Sequence, residues 1–140
     1  APVSGEPVRL DAADESALRA LPVAAGTQLD LDWFFLPDGI AEGDRPYHGR
    51  IVVALAPETA VCRGMEVVSI RDDLALKAAH VLAGQFRREG AIAATVRMQN
   101  ADLAHRLGPL LARLGCRVET VEALDSVTAF REAMAAFMGR

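Results

Sequence analysis

Residues 65–138 decide the fold, because three short strand-like segments alternate there with longer helical ones. The strand-like segments read MEVVSI (65–70), AIAATVRM (91–98) and RVETV (117–121), and they are rich in Val, Ile and Thr. Between and after them, apolar residues recur every three or four positions, which is the repeat of an amphipathic helix. This order is typical of parallel strands joined by helical crossovers. We therefore predict a single α/β domain with a mixed sheet of about five strands, in which N-terminal antiparallel strands precede a β-α-β-α-β-α unit.

The helices of this stretch carry recognisable start and stop signals. The first is predicted to end at Gly90, since glycine readily adopts the left-handed conformation of a helix C-terminus. Asn100 is predicted to cap the second helix, and Asp125 or Ser126 the third. Pro109 lies in the middle of the second helix, so we expect a kink or two short helices there.

The region before this stretch predicts additional strands. Residues 28–36 alternate at first, with Asp30 and Asp32 on the face opposite Trp33, which indicates a half-buried strand covering one edge of the core. We favour core packing for Trp33 over stacking against a cofactor. The continuous apolar run at 50–55 predicts a buried strand, beside which residues 65–70 can return antiparallel.

The remaining N-terminal segments look less regular. Residues 37–49 are polar and rich in Gly and Pro, so they predict a flexible loop. Residues 1–27 predict a loose arm containing one short helix. The domain itself is then expected to span residues 28–140.

Composition excludes several classes of protein. With 140 residues, 51% hydrophobic and 24% charged, the chain is expected to fold alone around a core of ordinary size. Cys62 and Cys116 have no spacing that implies a disulfide framework, so free thiols are expected. No apolar run reaches the length of a membrane span and no secretory signal precedes the start, so we expect a cytoplasmic protein without membrane contact. The first residue is Ala, which leaves a removed leader open.

Charge is distributed unevenly along the chain. Up to residue 46 there are nine acidic and three basic residues, for a net −6, whereas the rest has ten acidic and twelve basic residues, for a net +2. A net charge of +2 is far below the footprint that is typical of nucleic-acid binding. Nucleic acid is therefore predicted to be an unlikely partner.

Local sequence motifs of catalysis or cofactor binding are missing. There is no GxGxxG, GxxxxGK followed by Ser or Thr, GxSxG, HExxH or CxxC pattern. The histidines His48, His80 and His105 are too widely spaced for a zinc site on one helix. We predict neither a cofactor nor a metal, although many catalytic sites leave no local signature.

One sheet edge is the candidate location for a ligand. In open sheets with parallel strands, ligands gather beyond the carboxyl ends of the strands. The polar residues that follow the predicted strands there are Asp72, Asp73, Gln99, Asn100, Asp102 and Asp125. The competing interpretation, which we favour, is that Asp72, Asn100 and Asp125 are helix caps.

The order of predicted elements resembles the ribonuclease H-like fold, and residues 50–120 carry this topological resemblance. Members of that fold that cut nucleic acid use carboxylates to hold two divalent metals, one carboxylate on the opening core strand and another near the end of the fourth strand. With 51–55 taken as the opening strand, this sequence has no acid there, and residues 97–100 supply none at the later position. The resemblance thus implies the fold and argues against a two-metal nuclease.

A second resemblance is to a group of uncharacterised bacterial α/β domains. Its shared features are a Trp-containing strand, an Arg-Pro-aromatic segment before a Val-rich strand, a Leu-Gly helix ending and a final helix that opens with Leu-Asp. The matching residues here are Trp33, 45–47, Val52, Val53, Leu114, Gly115, Leu124 and Asp125. These residues mark architecture, so the resemblance implies no activity.

Two functional hypotheses follow. The first is a non-catalytic binding or protein-interaction module that meets a protein partner or a second copy of itself, for instance through the aromatic stretch at 33–36. The alternative is a metal-dependent ribonuclease H-like nuclease or other hydrolase, which would use Asp72, Asp73, Asp102 or Asp125.

Overall fold

A computed structural model describes residues 6–35, 40–42, 45–47, 49–69 and 71–138. In chain order the elements are α1 (Ala12–Arg19), β1 (Val23–Phe35), β2 (Ile40–Glu42), β3 (Arg45–Tyr47), β4 (Arg50–Leu55), β5 (Cys62–Val68), α2 (Leu74–Glu89), β6 (Ile92–Met98), α3 (Ala101–Leu114), β7 (Arg117–Thr120) and α4 (Asp125–Met138). The α/β class predicted from the sequence is confirmed.

The main sheet has five strands in the order β5-β4-β1-β6-β7. Strand β1 pairs antiparallel with β4 and parallel with β6, so it is the central strand. The prediction that residues 28–36 cover an edge of the core is therefore wrong. The physical reason is that β1 has buried side chains on both faces, Leu31 on one face and Asp30 and Phe34 on the other.

The pairings predicted in the second half of the chain are confirmed. Strands β6 and β7 are parallel neighbours joined by α3, and β4 and β5 form the antiparallel pair. In the parallel register Thr95 lies beside Arg117 and Arg97 beside Glu119. These four side chains consequently share one face of the sheet.

Helices cover both faces of the sheet. Helices α1, α2 and α3 bury their apolar sides on one face, where Leu18, Phe86 and Leu107 are almost completely inaccessible to solvent. Helix α4 packs on the other face, against Phe34 of β1 and Ile51 of β4. We call this second side, which also carries Asp30, Arg97 and Arg117, the α4 face.

Helix α3 is continuous through Pro109, so the predicted division into two short helices is wrong. Proline removes one backbone donor, and the carbonyl four residues earlier belongs to the solvent-exposed His105. Water can satisfy that carbonyl, while the buried leucines of α3 hold the helix against the sheet. Helices α2 and α3 end as predicted, at Gly90 and Gly115 in the left-handed conformation.

The segment predicted as a flexible loop contains a small antiparallel pair, β2 with β3. Residues 37–39, 43–44 and 48 of that predicted loop lie outside the described residues, as do residue 36 of the predicted strand 28–36 and residue 70 of the predicted strand 65–70. The boundary predicted between residues 27 and 28 falls within β1.

Both cysteines are free, as predicted. Cys62 is half-buried on β5, whereas Cys116 is buried just before β7, and burial raises the pKa of its thiol to about 12. Among the helices of the described chain, none combines the length and the apolar character that crossing a membrane requires.

Candidate functional site

A buried carboxylate lies at the centre of the sheet. Asp30 is 0% exposed, and the guanidinium of Arg97 on the neighbouring strand β6 donates two hydrogen bonds to it, Nε to Oδ1 at 2.7 Å and Nη2 to Oδ2 at 2.9 Å. The hydroxyl of Ser126 at the start of α4 donates a third bond to Oδ2, at 2.6 Å. Both carboxylate oxygens are thus fully engaged.

The register of the sheet produces this cluster. Asp30 and Arg97 are direct neighbours across the parallel pair β1–β6, so their side chains leave the sheet on the same face. Helix α4 begins at Asp125 above that face, and its burial of Leu124 and Val127 brings Ser126 down onto the carboxylate. A buried charge requires hydrogen-bonding partners of this kind. Moving a single ion from water into the protein interior without a partner costs on the order of several kcal/mol.

Other charged groups surround the pair. The hydrogen bonds that Arg97 donates to Asp30 raise the pKa of Arg97, and the nearby charges of Glu119 and Asp125 raise it further. The Arg97 side chain remains 29% exposed. Since Nε and Nη2 point to Asp30, the two N–H groups of Nη1 are left to face another acceptor.

Asp32, two residues along β1, has a different environment. Burial raises the pKa of its carboxyl group, and the Trp33 backbone N–H and the charge of Arg131 oppose that rise. The Arg131 guanidinium lies 5.6 Å from the centre of the Phe34 ring. Asp30, Asp32 and Phe34 therefore follow one another along the α4 face, and α4 partly covers them.

These carboxylates do not fit the two-metal site that the fold resemblance implies. Both oxygens of Asp30 already accept hydrogen bonds from a cation and a hydroxyl, and Met98, Gln99 and Asn100 at the end of β6 provide no carboxylate. Nowhere in the described part of the chain do three His, Cys, Asp or Glu side chains come together as a possible metal site.

The residues predicted from the sequence lie at a different place, and the structure brings four of the six together. Asp72, Asp73, Asn100 and Asp102 line a cleft of about 370 Å³ between the starts of α2 and α3, together with Trp33, Arg50 and Arg106. Gln99 is exposed at the end of β6 and Asp125 starts α4 above the other face of the sheet. A ligand at this cleft stays a prediction.

Two polar residues of the cleft, Asp73 and Asn100, are helix caps. The side chain of Asp73 accepts from the backbone N–H groups of Ala75 and Leu76, and that of Asn100 accepts from Leu103. Asp73 also receives two bonds from Arg106, Nη1 to Oδ1 at 2.8 Å and Nη2 to Oδ2 at 3.0 Å, which hold the pKa of its carboxyl group below the usual range.

Arg50 closes the cleft from the side of β4. Its guanidinium lies 5.7 Å from the centre of the Trp33 ring and donates to the backbone carbonyls of Ser69 and Asp72. Its Nε is buried and finds no acceptor among the residues that the structure describes.

The sheet order and the helices on both faces define the ribonuclease H-like class of fold, and comparison with solved structures agrees. The chain is similar to the catalytic core domain of BIV integrase, with a TM-score of 0.55 and 17% identity over 82% of this chain and 73% of that one. It is also similar to Mos1 transposase in a paired-end complex with a left transposon end, with a TM-score of 0.50 and 12% identity over 96% of this chain. It spans about half, 52%, of the transposase chain.

The family of the chain is shown by its sequence. Residues 16–135 match the model of the family described as "Domain of unknown function (DUF6930)", and the chain belongs to that family. Its sequence matches no curated protein.

These findings correct two predictions. The non-catalytic interaction module is wrong as the leading hypothesis, because the similar solved structures are the catalytic core domain of an integrase and a transposase in complex with a transposon end. The prediction that nucleic acid is an unlikely partner, with a protein partner or self-association in its place, is wrong for the same reason. That prediction used the net charge of the residues after 46, which averages over many side chains, whereas a fold can position a few arginines locally.

The objection to a nuclease also rested on the wrong strand. The opening strand of the core is β1, which carries Asp30 and Asp32, and not the acid-free segment 51–55. A signal for Asp30 was available in the sequence. The strand 28–36 becomes apolar on both faces towards its end, which predicts that a carboxylate within it is drawn into the core and needs a partner there. The partner, Arg97, is 67 residues away and could not be found by spacing.

Proposed function

We propose that this protein acts on nucleic acid and that its α4 face contacts the phosphodiester backbone. The observation that carries the proposal is the Asp30–Arg97 pair at the centre of a ribonuclease H-like sheet. The similar solved structures are an integrase core and a transposase with a transposon end, and this likeness supports nucleic acid as the class of substrate.

Arg97 is the residue best placed to meet a phosphate. Asp30 fixes its guanidinium through two hydrogen bonds, so little side-chain entropy is left to lose when a phosphate binds. Its Nη1 group supplies donors for a phosphate oxygen, and charge-assisted hydrogen bonds of this kind are about twice as strong as neutral ones. Asp30 then acts as a positioning residue for Arg97.

Arg117 extends the same surface. It lies beside Thr95 in the register and is exposed, one residue pair away from Arg97 along the strands. Glu119 and Asp125 lie close to Arg97, so the surface is not uniformly basic. Two or three phosphate contacts are therefore expected, for which the logarithm of the affinity for duplex DNA should fall with the logarithm of salt concentration with a slope of about −2 to −3.

Fluorescence anisotropy with labelled duplex DNA, single-stranded DNA and RNA at low salt tests this proposal. We expect at least one of them to bind, and Arg117→Gln to weaken binding and reduce the salt slope by about 1, since one phosphate contact is lost. Arg113→Gln is the matched control, because Arg113 pairs with Glu15 through two similar bonds away from the α4 face. Absence of binding by all three nucleic acids would overturn the proposal.

A cleavage assay on the same samples, with Mg²⁺ or Mn²⁺ added, tests whether the protein also breaks the backbone. Cleavage that is lost in Asp32→Asn and kept in Asp72→Asn would support hydrolysis at the α4 face. Binding without cleavage would reject hydrolysis by this chain and retain the nucleic-acid contact. The two results are independent, because anisotropy is measured without metal.

A further inference from the structure

A second cavity lies at the end of the sheet where β1 and β6 begin. It has a volume of about 380 Å³ and is bounded by the β4–β5 turn, the C-terminal part of α2 and the first residues of β6. Strand β1 is irregular there, with a register shift between Ala24 and Gln28. The cavity shares no lining residue with the Asp30–Arg97 pair, so the proposed function does not use it.

Gln85 of α2 is the most informative residue of this cavity. It is only 7% exposed, yet it lines the cavity, and no protein group in the described ranges hydrogen-bonds to its side-chain amide. Arg50 Nε is the only buried side-chain polar atom without a partner among the described residues, so the amide of Gln85 is open to the cavity, where water or a ligand can pair with it. The buried positions one and two turns earlier on α2 are apolar, Leu82 and Ala78, so Gln85 is the polar exception on this side of the helix.

The other lining groups limit what could satisfy this amide. Ala56, Pro57 and Ile92 form apolar walls, and the ionisable groups at the rim are Glu58, Glu89 and Arg63, with a formal net charge of −1. Apolar walls with a few polar groups are typical of small-molecule sites, and the volume lies in their usual range of about 300–1,000 Å³. The net negative rim disfavours a phosphorylated or carboxylated ligand.

We propose that this cavity binds a small, uncharged, planar molecule that presents a hydrogen-bond donor next to an acceptor. The amide of Gln85 has the same pair of groups, so it can form two parallel hydrogen bonds to such an edge, as glutamine does with adenine. Two sources have this chemistry, a nucleobase and a primary carboxamide.

Two-dimensional ¹H–¹⁵N NMR of the whole chain, titrated with adenosine and with nicotinamide, tests the proposal. We expect one of them to bind at millimolar concentration or below and to shift the Gln85 side-chain amide signals. Purine riboside lacks the exocyclic donor, and AMP and nicotinic acid carry negative charge, so each should bind more weakly than its parent compound. Binding of adenosine would identify a nucleobase as the ligand, and binding of nicotinamide would identify a primary carboxamide.

Gln85→Met and Gln99→Met form a matched pair of variants. Gln85→Met should weaken binding about tenfold, the effect of losing roughly 1.4 kcal/mol. Its melting temperature should stay equal or rise, because an amide without a protein partner is replaced by an apolar side chain of similar length. Gln99→Met, at the opposite end of β6, should leave binding unchanged.

Three results would overturn the proposal. The first is that neither compound binds, in which case the cavity holds water only. The second is that Gln85→Met binds the compound as tightly as the wild type does. The third is that the bound compound shifts signals at another surface while the Gln85 signals stay unperturbed. A large drop in the melting temperature of Gln85→Met would show that the amide is held by the protein, which also contradicts the proposal.

Discussion

Two arginine–carboxylate pairs in this protein have nearly the same geometry and opposite surroundings. Asp30–Arg97 and Asp73–Arg106 are both bidentate, with distances of 2.7 and 2.9 Å in the first and 2.8 and 3.0 Å in the second. The Asp30 side chain is 0% exposed, whereas that of Asp73 is 43% exposed. Geometry alone therefore does not tell which pair matters for stability or function.

The difference lies in what replaces the pair when it is broken. Water can solvate the carboxylate of Asp73 and the guanidinium of Arg106, so the exposed pair contributes little to stability beyond the helix cap. Water cannot reach Asp30, so loss of its partner or of the carboxylate leaves an unsatisfied group inside the protein. The buried pair therefore constrains the position of Arg97, and the exposed pair mainly closes a cleft.

The largest expected effect comes from Asp30→Ala. It should lower the free energy of unfolding by about 3 kcal/mol, since the buried Ser126 hydroxyl and the half-buried Arg97 guanidinium both lose their acceptor. Urea denaturation followed by circular dichroism measures it, with Asp72→Ala on the surface as the control. A loss below about 1 kcal/mol would mean that the buried pair resembles an exposed one.

Ser126→Ala should have the next largest effect, about 2 kcal/mol, because it removes a hydrogen bond to a buried charged group. Arg97 still holds the carboxylate in this variant, so the protein should remain folded. Thr128→Ala is the control, since its hydroxyl donates to an uncharged acceptor, the Leu124 backbone carbonyl, at 3.4 Å. Equal losses in the two variants would contradict a special role for Ser126.

Asp73 variants separate capping from pairing in the exposed region. Asp73→Ala should cost about 1 kcal/mol, the typical value of an N-cap. Asp73→Asn should cost less, because an asparagine oxygen can still accept from Ala75 and Leu76 while the charge opposite Arg106 is gone. Thermal unfolding measures both, and an Asn variant as unstable as the Ala variant would show that the ion pair dominates.

The smallest expected effect concerns Asp32, where the sign of the change in stability is the test. Burial raises the pKa of its carboxyl group in the folded state above 3.8, so ionisation at neutral pH opposes folding. Asp32→Asn should therefore be slightly more stable than the wild type at pH 7. That advantage should shrink as the pH falls through the raised pKa and vanish below about pH 3.8. A difference that grows on acidification would contradict the burial of this carboxyl group.

Much of the fold could be predicted because it follows from local patterns. The strands of the β-α-β-α-β-α unit, the cap at Asn100 and the stops at Gly90 and Gly115 are encoded by neighbouring residues. The position of β1 in the sheet could not be predicted in this way, because it depends on which distant strands pair with its two edges. Its assignment as an edge strand led to the wrong opening strand and hence to the argument against a nuclease.

The sites show the same division. The cap at Asn100 is visible in the sequence because it acts within three residues. The predicted cap Asp72 is wrong by one residue, since the α2 cap is Asp73 and Asp72 accepts from the Ser69 backbone N–H instead. Asp30, Arg97 and Ser126 come from three elements separated by 67 and 96 residues, and Gln85 differs from other helical glutamines only through its burial. Such groupings arise from packing, which no spacing in the chain reveals.

Cys116 provides a built-in reporter of local opening. Its thiol is buried and its pKa of about 12 leaves almost no thiolate at neutral pH, so alkylating reagents should hardly react with it in the native protein. The half-buried Cys62 on β5 offers an internal comparison within each molecule. Under mild denaturant, the rate at which iodoacetamide labels Cys116 would therefore measure how often β7 separates from α3, without any engineered probe.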